Sequence, residues 1–250
     1  MDSIPEKDFR KHAEEAYPEE CCGVIVVFKG RQRYVPCRNV AATPTLTFKI
    51  SQEDYSNAED LGEIIAICHS HPNKSSKPSE ADLTEIEILK EAGYDFIWYI
   101  TGVFNDAGVV ASTDITKTVS SGYKAPLIGR SFSHGILDCY TLIRDWYKEE
   151  HGIELPQFKR DDDWWNDGKS DLYREGFPQA GFVSIGQSAS PEIGDVILMQ
   201  VRSKNMVPNH AGIYIGNSMI LHHLYGRLSS RDIYGGQWRE ATTDILRYKG

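Results

Sequence analysis

A chain of 250 residues with 40% hydrophobic, 25% charged and 11% aromatic content is expected to fold as a globular protein. That length is enough for two cores of roughly 100 to 130 residues each. A net charge of -9 leaves little basic surface to neutralise phosphates, which argues against a nucleic-acid binder. No stretch approaches the about 18 uncharged apolar residues of a membrane span, the first residues lack a signal-peptide layout, and five cysteines in such a chain read as reduced thiols.

In chain order, the first half predicts a polar helix over residues 7–16, an apolar strand over 23–28, a second over 64–68, a helix over 79–92 and a strand over 96–101. Helices alternating with strands predict an α/β unit. Ser79 suits the N-cap of the fourth element, Glu80 and Asp82 suit the positive end of its dipole, and Pro78 keeps the preceding residue out of helix. Residues 115–125 are polar and small with no apolar period, which predicts a linker between domains at 1–114 and 126–250.

The second half predicts a helix over 139–148, an acidic and aromatic run at 161–167, and short strands at 196–200, 211–215 and 219–222, an α+β pattern. Trp164 and Trp165 within the acidic run read as a lid or a partner anchor. Cys21, Cys22, Cys37 and Cys68 read as structural, and His134 as a loop residue.

Two constellations carry chemistry. His69 and His71 stand one residue apart at a strand end, so alternation turns both imidazoles to one side, and Asp82 offers a carboxylate from the next helix. Two histidines and a carboxylate form a zinc set that leaves one position open for water, and Glu20 is the candidate base. In the second half Cys139 opens a helix, where the dipole is expected to lower its pKa and the first amides can face an oxyanion. His210 begins a strand from which an imidazole can reach that helix, and either His222 or His223 can be its partner, since neighbours on a strand face opposite ways.

Glu20-Cys21-Cys22-Gly23, His69-Ser70-His71-Pro72, Ser79 and Asp82 resemble the JAMM metallopeptidase motif. The resemblance implies an MPN, cytidine-deaminase-like α/β sandwich, zinc on His69, His71 and Asp82, Glu20 as general acid and base, and Ser79 as an oxyanion donor. The bland competitor is a capped helix beside two surface histidines. Asp138-Cys139-Tyr140-Thr141, Gly194-Asp195-Val196-Ile197, the run His210 to Gly216, and His222 resemble the NlpC-type papain-like cysteine peptidases. That resemblance implies a helix packed on an antiparallel sheet and a catalytic set of Cys139, His210 and His222. Relatives often carry Asp-Cys-Ser-Gly where this chain has Asp-Cys-Tyr-Thr, and a tyrosine where it has Leu127.

The order of the two units, with Gly129 to Tyr140 between them, resembles the tail tip assembly proteins of long-tailed, lambda-like phages. The resemblance implies work in the host bacterial cytoplasm or at the virion tail tip, with the hub, tape measure or central fibre as partners. Peptide or peptidoglycan stem peptide is the implied substrate, and neither nucleic acid nor membrane is an expected partner. The expected function is bifunctional peptide hydrolysis in tail tip assembly. Its competitors are a structural assembly factor with vestigial sites and a virion-carried peptidoglycan endopeptidase.

Overall fold

A computed structural model describes residues 4–250 and divides into two compact units, the first ending at Tyr123 and the second beginning at Lys124. The first unit runs α1 (Glu6–Ala16), β1 (Cys22–Phe28), β2 (Arg31–Cys37), α2 (Gln52–Leu61), β3 (Glu63–Pro72), α3 (Glu80–Glu91), β4 (Ile97–Asp106) and β5 (Val109–Thr118). Its five strands lie in the order β2-β1-β3-β4-β5, with β3 and β4 parallel and the other neighbours antiparallel. A parallel pair needs a crossover, and α3 supplies it. Strand alternation sorts the faces. Ile25, Ala66 and Cys68 pack on Phe9 and Ala13 of α1, while Val24 and Val26 pack on Ala58 of α2 and Ile67 and Trp98 on Ile86 of α3. The sheet is therefore covered on both sides.

The predicted linker is corrected at its start. Residues 115–118 continue β5, where Thr116 pairs with Ile100 and Thr118 with Trp98. Beyond them Glu87 of α3 accepts from the amides of Ser121, Gly122 and Tyr123 and from the Ser120 hydroxyl. A polar segment without apolar period looked unstructured because its backbone groups are satisfied by one carboxylate, which composition does not show.

The second unit runs α4 (Cys139–His151), α5 (Leu172–Gln179), β6 (Phe182–Ser184), β7 (Val196–Met199), β8 (His210–Tyr214), β9 (Met219–His222), β10 (Ser230–Ile233), α6 (Gly236–Ala241) and β11 (Thr242–Tyr248). Six antiparallel strands lie in the order β10-β9-β8-β7-β11-β6. Leu142, Ile143, Trp146 and Tyr147 form the apolar stripe of α4 and share a core with Val196, Leu198, Ala211 and Ile213. The alternate residues Ile197, Met199 and Ile220 face a second cluster with Tyr234 and Trp238. Gly152, in the left-handed region at φ 67°, ends α4.

The lid or anchor reading of Trp164 and Trp165 is also corrected. Trp164 is buried in the main core against Tyr173, and Trp165 packs against the same core with its ring on His134. All five cysteines are free and buried.

Candidate functional sites

The first site grows from one strand end and one helix start. On β3 the residues Ala66, Cys68 and Ser70 alternate with Ile67, His69 and His71, so both imidazoles fall on the face that α3 covers. Asp82 and Ile86 lie one helical turn apart on the buried side of α3, which aims the carboxylate at the histidines. His69 Nε2 lies 3.2 Å from Asp82 Oδ1, His71 Nε2 lies 3.2 Å from Asp82 Oδ2, and the two Nε2 atoms are 3.0 Å apart. Phe48 stacks on His69 at 4.6 Å and helps bury it.

His71 Nδ1 donates to the Ser75 carbonyl at 3.0 Å, which leaves Nε2 as a lone pair. A carboxylate and ring nitrogens this close call for positive charge between them: burial opposes it on His71, but Asp82 raises the His71 pKa overall, so a proton can supply that charge and a cation can take its place. Tetrahedral zinc with bonds of about 2.0–2.1 Å holds its donors roughly 3.3 Å apart, close to the spacing here. His69, His71 and Asp82 therefore fit a metal ion, with their donor atoms all within 4.8 Å of one another. Burial opposes charge on Asp82, yet the two imidazoles hold its pKa below the ordinary carboxylate range.

Glu20 reaches the same place through register. Antiparallel pairing sets Cys22 opposite His69, and the Cys21 carbonyl accepts from Ser70, so one further step along each strand brings Glu20 level with His71. Asn39 and Pro44 fix its backbone. Burial raises the Glu20 pKa, and His69 and His71 pull it only part of the way back. A carboxyl group held high in this way suits proton transfer near neutral pH. Ser79 caps α3: its Oγ accepts from the Asp82 amide at 3.1 Å while Asp82 Oδ2 accepts from the Ser79 amide at 2.6 Å. The hydroxyl proton is not used by that cap.

The second site spans two helices and three strands. Asp138 caps α4 through Thr141, and its Oδ2 accepts from Arg160 Nη2 at 2.8 Å and Nε at 3.1 Å. Burial would raise the Asp138 pKa, but Arg160 leads the groups that lower it. Cys139 follows at the start of the helix with its thiol 2.9 Å from the Tyr173 hydroxyl and beside the Ala211 amide. His210 Nε2 lies 2.9 Å from His222 Nδ1, and His222 Nε2 lies 3.1 Å from Asp232 Oδ2. Trp238 packs edge to face on His222 at 4.6 Å. His223 turns the other way, onto Phe132.

Two expectations change here. The helix start was expected to lower the Cys139 pKa, but burial first and the Asp138 charge second push it up to about 11. A helix dipole is worth about 0.3–1 kcal/mol, under one pKa unit, so it loses to a rise of this size. Cys37 also stands at about 11, so thiol acidity does not single out Cys139. In addition, the hydrogen bond found at the thiol runs to Tyr173 and not to His210. Burial, with His222 and His223, pushes His210 down to about 3 and keeps it neutral.

Tyr173, Arg160 and Asp232 are site residues that the sequence reading missed. Each lies in a segment without a motif, and only the fold brings them to the cluster.

Residues 6–115 match the prokaryotic homologs of the JAB domain, and residues 129–247 match the NlpC/P60 family. The class defined is thus a JAB unit followed by an NlpC/P60 unit. The chain is 38% identical to tail tip assembly protein K of Escherichia phage N15, over 95% of this chain and 91% of that protein. It is 37% identical to tail tip assembly protein K of Escherichia phage lambda, over 80% and 89%. The chain belongs to the tail tip assembly protein K family. A solved NlpC/P60 family protein from Bacillus cereus is similar at a TM-score of 0.32 and 13% identity, over 95% of this chain and 66% of that one. Among the described residues no helix is long and apolar enough to cross a membrane.

Proposed function

We propose that this protein acts in phage tail tip assembly as a peptidase with two sites, a zinc-dependent one in the first unit and a thiol-dependent one in the second. The observation that carries the reading is the convergence of His69, His71 and Asp82 with the buried acid Glu20 beside them. His69, His71 and Asp82 would hold zinc, and the chemistry such an ion supplies is Lewis-acid activation of water and of the scissile carbonyl. Glu20 takes the proton from the attacking water and passes it to the leaving amine. The Ser79 hydroxyl donates to the developing oxyanion while its oxygen keeps the cap.

In the second unit the thiol proton of Cys139 passes to His210 and the sulfur attacks the acyl carbon. The amine leaves with that proton, and water then hydrolyses the thioester. His222 orients His210. The substrate class is peptide, with tail proteins such as the hub, tape measure or central fibre as partners. Relatives bearing the name of tail tip assembly support that setting.

One observation favours a second reading, a structural assembly factor, for the second unit: the thiol is bonded to Tyr173 and its pKa is raised. Mass spectrometry of tail proteins from infections with wild-type, Glu20→Gln and Cys139→Ala versions separates the two. A cleaved tail protein in wild type that stays whole in a variant is the expected result. Normal tails with identical protein masses in all three would leave the structural reading.

A further inference from the structure

We infer that Asp232 is a positioning residue of the second site, acting through His222 to fix which ring nitrogens carry protons, so that His210 turns a basic Nδ1 to its reaction partner. The inference rests on reading that site as a thiol peptidase.

The proton positions follow from the surface inward. An ionised carboxylate only accepts, so the nitrogen facing Asp232 Oδ2 at 3.1 Å, His222 Nε2, carries the proton. A neutral imidazole has one proton, so His222 Nδ1 is then a lone pair. Across the 2.9 Å contact His210 Nε2 must be the donor, which leaves His210 Nδ1 as the free base. Without the carboxylate the reverse arrangement would serve the two rings equally well: His222 Nδ1–H donating to His210 Nε2, and His210 protonated on Nδ1. That arrangement cannot take a proton from a thiol. Asp232 breaks the tie.

The placement is built into the sheet. Ser230 pairs with His222 and Asp232 with Ile220, so Asp232 sits diagonal to His222 on the β9–β10 ladder, within reach across it. Ser230 Oγ donates to the other carboxylate oxygen at 3.2 Å, and Trp238 covers the imidazole. The contact from His222 Nε2 to Asp232 is bent. By strict hydrogen-bond geometry that nitrogen has no partner, although the distance is short. Attraction between a carboxylate and an N–H dipole survives such misalignment, and a side-chain rotation of Asp232 removes it. The Asp232 side chain is 30% exposed on the edge strand, so it has room to make that rotation.

The test uses the full chain labelled with nitrogen-15. Ring correlation spectra near neutral pH assign the tautomers of His210 and His222, and peptide mass spectrometry follows alkylation of Cys139 by iodoacetamide across pH. Wild type is expected to show Nε2–H on both rings. Asp232→Ala is expected to shift both toward Nδ1–H and to slow alkylation at neutral pH at least about fivefold. Asp232→Glu is expected to restore both. A wild-type spectrum with Nδ1–H on either ring overturns the inference, and this holds even if Asp232→Ala does not fold. So does an Asp232→Ala spectrum and pH profile that match wild type. If the tautomers are as inferred but Cys139→Ala changes no tail protein, the peptidase reading fails by itself.

Discussion

The two sites differ in how much of their geometry is local. His69, His71 and Asp82 lie within 14 residues, on one strand and the helix that leaves it, and their donor atoms already face one another. Cys139, Tyr173, His210, His222 and Asp232 come from five elements, and the Cys139 thiol is bonded to a phenol and not to His210. A site held by a strand end and a helix cap is set as soon as those two elements form. A site spread over a sheet and two helices depends on side-chain choices that the fold leaves open, and here the thiol's hydrogen bond runs to Tyr173.

Removing the two histidines tests whether the first site is preorganised for a metal. His69→Ala with His71→Ala is expected to take the chain from about one zinc to nearly none by metal analysis. Any metal-dependent hydrolysis should fall by several kcal/mol of transition-state stabilisation, roughly a thousandfold or more. Full zinc occupancy in that double variant would mean that the cluster is not a metal site. Glu20→Gln sharpens the same point with a smaller effect. Zinc content should hold while hydrolysis drops about 10²–10⁴-fold, because the shape is kept and the proton carrier is lost. A variant that loses its zinc would make Glu20 a ligand instead.

Acid probes the other site. The folded pKa of His210 is pushed down to about 3 from an ordinary value of 6.5, and that of His223 to about 4. Because the unfolded chain takes up these protons first, the contribution of each histidine is fully present above about pH 6.5 and is lost as pH falls toward the folded value. Amide exchange in the second unit should therefore show stability falling between pH 7 and 4.5. His210→Gln should flatten that fall by roughly 2 kcal/mol. A slope unchanged by the substitution would place the acid sensitivity elsewhere.

The same contrast explains what the sequence made legible. Strand alternation and a helix cap suffice to place His69, His71 and Asp82 on facing elements with Ser79 at the cap, and the apolar run near 219–222 marks the strand Met219–His222. β2, with its alternating Arg31-Gln32-Arg33, lacks a clear apolar period because only Tyr34 and Cys37 are buried in it. α2 escaped because Ala58 alone is fully buried in that helix. The segment 119–123 looked free because Glu87, more than thirty residues away, satisfies its amides. Tyr173 and Asp232 were beyond reach for a similar reason: their roles depend on which residue stands opposite, and pairing between distant segments is not written in local pattern.

The smallest expected effect bears on the resting state of the thiol. Tyr173 is buried, its ring packs on Trp164 and Phe177, and its hydroxyl meets Cys139 at 2.9 Å. Tyr173→Phe keeps the ring contacts and removes one hydrogen bond, a loss of about 0.5–1.5 kcal/mol. Against the larger effect of burial the phenol lowers the Cys139 pKa, so its removal is expected to slow alkylation at neutral pH by about three- to tenfold. That range is the same free energy read as a shift between thiol and thiolate. Cys37, at a similar pKa but far along the chain in the other unit, serves as the internal control and should not change. Faster alkylation would assign the phenol the opposite role, that of a clasp that keeps the sulfur from reacting, and the second site would then be the less preorganised of the two.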